Sequence, residues 1–455
     1  MSEEKENIQF QLTDELIEQV EQLVENKNDK ELQLILDEFH YADIAEILNE
    51  LDLEEATYVI KLLDSETTSD ILMELDEDIR EKVLQNLSAK EIAEEIEELD
   101  TDDAADMIME LPEERQEEVI SNIEDKAHKA EIEELLAYDE DTAGGLMAKE
   151  LVKVYETWTV AGCMRRIRGQ AKDVTRVHSI YVVDKQERLI GRLSLKDLIV
   201  AKSEQKIAEI SNANVDFVNV NDDAEDVAKI MSKYDLEAIP VVDENQTLLG
   251  RITIDDIVDV LKEEADKDYQ LAAGITQDVE ADDSILELTK ARLPWLFLGL
   301  VGGVGAFLIM EGFQESFKQY AVLFFFTPLI AAMAGNVGVQ SSAIIVQGLA
   351  NDDIKGSVNS RLLKEMFLAT LNGVILALFL FLFVWLTKDQ TTALAISVSL
   401  VVVIIVAGLI GTFVPLFLNK RGIDPAIATG PFITTSNDIL GILLYFWIAK
   451  LILNI

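Results

Sequence analysis

Five long apolar segments after residue 290 limit this chain more than any other feature. They run roughly over 291–310, 320–349, 365–387, 391–418 and 425–451. A helix of about 20 mostly apolar residues spans a bilayer, where only helices and closed barrels satisfy their backbone. The last segment carries Asp438 near its middle. A carboxylate at the midplane is costly, and its default reading is an ion or proton path. The second segment holds Pro328 and the polar run from Gly335 through Asn336, Gly338 and Gln340 to Ser342. A plain lipid-facing helix would not carry such a run.

The charge is uneven. The chain has 455 residues and a formal net charge of −47, yet from Ala291 onward it has nine Lys/Arg against eight Asp/Glu. The excess acid therefore lies before the apolar segments. Such a field repels nucleic acid and gathers metal cations, although solubility alone accounts for many acidic surfaces. Cys163 is the single cysteine, which excludes a disulfide framework or a zinc–cysteine cluster. The acidic, polar N-terminus does not read as a cleavable signal peptide. Lys290, Arg292, Lys355, Arg361, Lys364, Lys420 and Arg421 fall on one side of the five segments, and Lys318, Lys388 and Lys450 on the other. The positive-inside rule then puts residues 1–290 in the cytoplasm and the C-terminus outside, in a multi-pass inner-membrane protein.

A period of 12 runs from residue 46 to 124. Leu51, Leu63, Leu75, Leu87, Leu99, Leu111 and Ile123 recur at that spacing, followed by Asp52, Asp64, Asp76, Ser88, Asp100, Pro112 and Glu124. Ile47, Val59, Ile71, Val83, Glu95, Met107 and Val119 keep the same register with one polar exception. Asp or Ser reads as a helix N-cap and Pro112 as a first-turn residue. Helices of about two turns are unstable alone, but stacked units bury a continuous stripe and form a helical solenoid. A coiled coil is disfavoured, since 12 does not fit a heptad.

A second repeat has an offset of 59. Ile180–Asp184 (Ile-Tyr-Val-Val-Asp) matches Ile239–Asp243 (Ile-Pro-Val-Val-Asp), Gly191-Arg192 matches Gly250-Arg251, and Asp197 matches Asp256. Each half reads as a strand, a polar turn, a second strand opening on Gly, and a helix, and the whole resembles a pair of CBS domains. In that family the hydroxyl and carboxylate of Gly-Arg-x-[Ser/Thr]-x-x-Asp can hold an adenine nucleotide, which makes Ser194 and Asp197 candidates and ATP the candidate ligand. The alternative is that Ser194 and Thr253 cap the following helices. No Walker A sequence is present, so ATP-driven pumping has no support. The charged stretch from Ile257 to Lys290, with Glu280 and Asp282, is either a solvated linker or a helix that carries cytosolic movement to the membrane.

Around Asp438 the helical spacing adds Thr434 and Thr435 one turn earlier and Gly441 three residues later, with Asn437 adjacent. A stripe of small residues also suits close helix packing. Hydroxyl, carbonyl and carboxylate oxygens favour Mg2+ or Ca2+ over softer metals. One carboxylate per chain is a poor divalent site, and two related by a dimer axis would balance the charge.

Solenoid, CBS pair, connecting helix and five spans, in this order, resemble the MgtE family of magnesium channels. The specific pieces are Pro328-Leu329-Ile330 with Gly335-Asn336-x-Gly338-x-Gln340-Ser341, Asp424-Pro425-Ala426 with Gly430-Pro431 and Asn437-Asp438, and Asp141-x-Ala143-Gly144-Gly145-Leu146-Met147. The resemblance implies a multidomain chain: an all-α superhelical N domain over 1–140, an α/β tandem CBS pair over 141–264, a connecting (plug) helix over 265–290, and an all-α membrane domain of five transmembrane helices over 291–455. It implies a homodimeric Mg2+ channel, not an enzyme, with Asp438 selecting Mg2+ and Asp424 at the cytosolic mouth. Gly335, Asn336, Gly338, Gln340, Thr434, Thr435 and Asn437 would line the pore. Cytosolic Mg2+ would close it through Asp102, Asp106, Gly145, Asp223, Asp235, Asp256, Asp259, Glu264 and Asp268. Lys267 stands where the family usually has an acid, and Ala334 and Val339 replace a common Gly and Asn. Two other readings remain: a secondary transporter coupling a solute to H+ or Na+ through Asp438, and a membrane-anchored nucleotide sensor.

Overall fold

The structure, a computed structural model, describes residues 10–454 apart from 173, 175, 278, 280–282, 352, 353, 355 and 429. Glu280, Asp282 and Lys355 of the charge reading thus lie outside the described residues. The chain forms two compact units, Met1–Leu261 and Lys262–Ile455.

The first unit opens with ten short helices: α1 (Asp14–Glu25), α2 (Asp29–Leu36), α3 (Tyr41–Asn49), α4 (Leu53–Ile60), α5 (Ser65–Glu74), α6 (Glu77–Asn86), α7 (Ala89–Ile96), α8 (Thr101–Met109), α9 (Glu113–Asn122) and α10 (Lys126–Leu135). The period of 12 is the helix-plus-corner unit. Its stripe residues Ile47, Val59, Ile71, Val83, Met107 and Val119 are fully buried, and most corner residues are buried beside them. Helices two apart pack together, α3 on α5, α5 on α7 and α7 on α9. Each buried Leu, Ile or Val contributes about 1.5–3 kcal/mol, which these helices of 8–12 residues need. Ser88 caps α7 in a reciprocal box with Glu91, which holds the Glu91 carboxyl down at about 2. Pro112 takes the cap position itself rather than the first turn of α9, its extended ψ of 142° leading the chain into the helix.

Glu95 occupies the stripe. Its Oε1 accepts a long bond from Ser65 Oγ (3.4 Å), whereas its buried Oε2 has no partner among the described residues. Burial, with Glu94, Glu98 and Asp64 nearby, pushes its pKa up to about 7. The folded state therefore holds a proton that the unfolded chain releases near its ordinary value. The resulting stability falls as pH rises from about 4.5 to 7. Replacing Glu95 with Leu should stabilise the first unit by about 1–2 kcal/mol above pH 7, after discounting for solvent screening. Thermal melting at pH 8 should rise by about 2–6 °C, with a smaller gain at pH 5; a lower melting point at both pH values would refute the assignment.

Two sheets follow. The first half comprises β1 (Val152–Tyr155), α11 (Val160–Gln170), β2 (Ile180–Val183), β3 (Leu189–Leu193), α12 (Leu195–Val200) and α13 (Ile207–Ile210). The second comprises β4 (Val218–Asn219), α14 (Ala224–Tyr234), β5 (Ala238–Val242), β6 (Leu248–Thr253) and α15 (Ile254–Ala273). Each sheet pairs its first two strands in parallel and the last two antiparallel. The offset of 59 survives as register, since Val182 lies opposite Gly191 and Val241 opposite Gly250. The strands expected to open on Gly are the third of each half, β3 and β6, and they start two residues earlier, at Leu189 and Leu248, because these apolar residues already pair with Val183 and Val242.

Among the described residues of the second unit, five helices are long and apolar enough to cross a membrane: α16 (Ile285–Phe313), α18 (Thr327–Ala350), α19 (Val358–Thr387), α20 (Gln390–Asn419) and α21 (Gly430–Leu453). A short helix, α17 (Val322–Phe325), precedes Pro328, which fits the first turn of α18, where its missing N–H costs nothing. Helix α20 is central and packs against α18, α19 and α21, while α16 rests on α21. Tyr445 fixes α21 by donating its hydroxyl to Leu323 O at 3.0 Å.

Candidate cation sites

Helix α8 places Asp102, Asp103 and Asp106 within one turn, and Asp256 sits in the first turn of α15. Asp256 Oδ2 accepts from Thr253 N (2.9 Å) and Thr253 Oγ1 (2.8 Å), which fixes the carboxylate at the helix start. The protein crowded around each acid comes first in raising its pKa, and neighbouring acids come next. Asp102 is buried and held well above the ordinary carboxyl range by that crowding, then by Asp103, Asp256 and Asp100. Asp103 is pushed up to about 8, with Asp256 and Asp106 adding. Asp106 reaches about 7. The crowding around it acts together with Glu140, Asp256 and Glu110, although its side chain keeps solvent contact. Asp256 rises to about 6, held back by its Thr253 bonds. The nearby cations are engaged elsewhere. Arg80 Nε donates to Glu110 Oε2 at 2.9 Å, and buried Arg251 reaches Asp100 Oδ2 (3.3 Å) and Glu150 O (2.5 Å). Asp256 thus adds to the repulsion on Asp102, Asp103 and Asp106, and none of the four has an ion-pair partner among the described residues, while Asp102 lies with Asp100 and Glu150 in a group whose ligand oxygens are within 4.8 Å of one another; such an excess of carboxylates favours hard divalent cations.

The membrane unit contains a cavity of about 910 Å3 beside α21. Thr434, Thr435 and Asp438 form its polar wall, and Gly299, Gly302, Gly303 and Arg292 of α16 lie in the facing wall. The small residue Gly335 lets Asp438 approach α18: a Cβ there would meet Thr434 Cγ2 at 3.2 Å and Asp438 Oδ1 at 3.6 Å. Ala273 and Gly274 close one end of the cavity together with Gly430 and Pro431. Gly274 (φ +83°) and Gly430 (φ +42°) are both left-handed, and each packs against the other's segment, through Pro431 and Ala272 O. Side chains at either position would add both strain and a clash. The last turn of α15 therefore abuts the first turn of α21, one turn from Thr434.

Residues 327–448 match the family model of the MgtE divalent cation transporter, residues 39–141 match the MgtE intracellular N domain, and residues 143–204 and 207–263 match CBS domains. The magnesium transporter MgtE of Enterococcus faecalis is 36% identical over 322 residues, covering 70% of this chain and 71% of that protein. The chain belongs to the MgtE family. The MgtE of Thermus thermophilus is likewise 36% identical, over 70% of this chain and 72% of its own. A crystal structure of the cytosolic domain of an MgtE Mg2+ channel in complex with ATP matches 54% of this chain and 99% of that one, at 36% identity and a TM-score of 0.51.

The MgtE-type residues fall into three groups. Asp102, Asp106 and Asp256 gather as described, and Gly145 lies buried against the backbone of Asp139 and Glu140. Asp223 and Asp235 are exposed at the two ends of α14, Asp223 as the N-cap accepting from Glu225 N (3.0 Å) and Asp235 as a left-handed C-cap. Asp259 is exposed on α15; further along it, Glu264 Oε1 pairs with Lys267 Nζ at 2.8 Å, so the basic departure partly neutralises one expected ligand. In the membrane unit, Asn336 and Gln340 lie on an exposed face of α18, and Asp424 is exposed and accepts from Ala426 N (2.7 Å). Asn437 and Gly338, expected on the pore wall, instead pack against each other in the α18–α21 contact, with Asn437 only 1% exposed. The reason is helical phase: consecutive residues lie about 100° apart, so Asn437 and Asp438 face different neighbours. Ser194 Oγ caps Asp197 N (3.0 Å) and donates to Asp197 Oδ2 (2.7 Å), the helix-cap alternative. Asp103, Asp100 and Glu150 were missed. The available signal was the acid spacing of i, i+1 and i+4 on an otherwise apolar α8.

Proposed function

We propose that this chain is a Mg2+ channel that mediates uptake and is closed by cytosolic Mg2+ at the carboxylates of α8 and α15. The observation that carries conduction is the cavity wall of Asp438, Thr434 and Thr435. Mg2+ sheds its water reluctantly, so a carboxylate beside hydroxyls suits a hydrated ion. The cavity beside α16, whose Leu296, Phe297 and Leu300 are exposed, supports a homodimer in which two Asp438 residues face one ion. The basic residues support a cytosolic N-terminus. Mg2+ uptake by proteoliposomes, followed with an internal indicator, tests conduction: uptake should exceed that of empty vesicles and slow as Mg2+ rises on the face carrying residues 1–290. Vesicles no more permeable than empty ones would overturn it.

The closing step rests on proton and metal competition. With Asp103 at about 8, Asp106 at about 7 and Asp256 at about 6, the metal-free cluster holds on the order of two protons at pH 7. Mg2+ should expel on the order of one to two of them, read by calorimetric titration in buffers of different ionisation enthalpy. Since these folded-state values lie above the ordinary carboxyl range, metal-free stability should fall as pH rises from about 4 to 8. Removing Mg2+ should therefore destabilise most at pH 8. Proton release near zero would remove these acids from the site. ATP between the CBS halves belongs to the same reading, supported by the related cytosolic domain in complex with ATP; a nucleotide at Ser194 would have to replace its bond to Asp197.

A further inference from the structure

His128, Glu131 and Glu150 form a second group whose ligand atoms lie within 4.8 Å of one another. His128 and Glu131 stand one turn apart on α10, and Glu150 comes from the chain entering β1. Two of the three side chains are held from behind. His128 Nε2–H donates to Ile96 O at 3.2 Å, since a carbonyl can only accept, and this leaves the lone pair on Nδ1. Glu150 Oε2 accepts from Thr101 N (3.2 Å) and Thr101 Oγ1 (2.8 Å), so Oε1 is the oxygen left for a ligand. A ring nitrogen oriented by a backbone carbonyl through its other N–H is the usual support of a metal-ligating histidine. The nearby Lys149 is engaged by Glu134 at 2.7 Å.

We propose that His128, Glu131 and Glu150 bind a borderline divalent transition ion of the Co2+ or Zn2+ class, distinct from the Mg2+ carboxylates. One imidazole and two carboxylates suit such ions, whereas Mg2+ takes oxygen ligands and is unlike them in its demand for retained water. Glu150 also belongs to a group with Asp100 and Asp102, so the transition ion would order a carboxylate bordering the α8 acids. The binding claim does not depend on the gating reading.

The test uses the full chain in detergent, titrated with Co2+ in a large excess of Mg2+ that occupies the oxygen-only sites. The visible d–d bands of Co2+ report the coordination geometry of the bound ion, and their loss in His128→Ala ties the signal to the imidazole. The expected result is one Co2+ per chain that resists Mg2+, weakened at least about tenfold by His128→Ala and by Glu131→Gln. Glu131 is exposed, so its substitution leaves folding intact and keeps the test valid if His128→Ala melts early. Co2+ that Mg2+ displaces, or that binds equally well to both variants, would overturn the site and leave His128 as a surface histidine bound to a carbonyl.

Discussion

Asp438→Asn should reduce Mg2+ uptake to the level of empty vesicles while leaving the protein folded. Asparagine keeps the shape and one oxygen of the side chain and replaces the other oxygen, and with it the charge, by an NH2 group. A unit charge pair at 4 Å is worth about 4 kcal/mol at an effective dielectric of 20, and a divalent ion doubles the attraction. Losing even the smaller figure lowers ion occupancy by about three orders of magnitude. Asp438 contacts the open cavity and Gly335 rather than an ion-pair partner, so its neutralisation strands no buried cation. Melting should be unchanged or slightly raised. Uptake that survives in Asp438→Asn, with the variant correctly inserted, would separate conduction from this carboxylate.

Neutralising the cluster should have two effects of opposite sign. In Asp103→Asn/Asp106→Asn/Asp256→Asn, like charges that repel in the metal-free state are gone. The first unit should therefore melt higher than wild type at pH 8 without Mg2+. Closure should weaken at the same time. Moving a gate from 1:99 to 99:1 takes about 5.5 kcal/mol of differential binding, and a site at ten times its dissociation constant supplies about 1.4. About four such sites make a decisive switch. Each one lost lowers the closed-to-open ratio about tenfold, and the midpoint should move to higher Mg2+ with a shallower slope. Misfolding would lower melting and closure together, so the pair of measurements separates the two causes. A variant that closes at the wild-type Mg2+ concentration would remove these three acids from the sensor.

The sequence made the solenoid legible because its 12-residue unit equals one helix and one corner, so burial repeats with the spacing. It revealed Glu95 as the exception but not its unpartnered Oε2, which depends on Ser65 from a different helix. The membrane helices were legible from apolar length, and Asp438 with its two threonines from helical phase. Asn437, next to Asp438 in sequence, lies on another face of α21 against Gly338, because adjacency in sequence is not adjacency on a helix. The α8 acids were harder. Among 85 acidic residues, Asp102 and Asp103 are set apart by burial where α8 packs on α10 and α9, with the charge of Asp256 added from α15, about 150 residues away in the chain. The family motifs supplied Asp102 and Asp106; they did not supply the partners that make the site crowded.

The helices differ in length in a way that bears on their surroundings. The two that frame Asp438, α18 and α21, have 24 residues each, whereas α16, α19 and α20 have 29 or 30. At 1.5 Å per residue these are roughly 36 Å against roughly 44 Å. Mismatch acts on apolar length rather than on helix length, and Lys290 and Arg292 of α16 and Arg361, Lys364 and Glu365 of α19 charge the first two turns of two of the longer helices. Those turns extend toward the headgroups instead of lengthening the apolar span. Acyl-chain length thus becomes a mechanical load on the wall that holds Asp438, α16 included, separate from any ion the acids of the first unit bind.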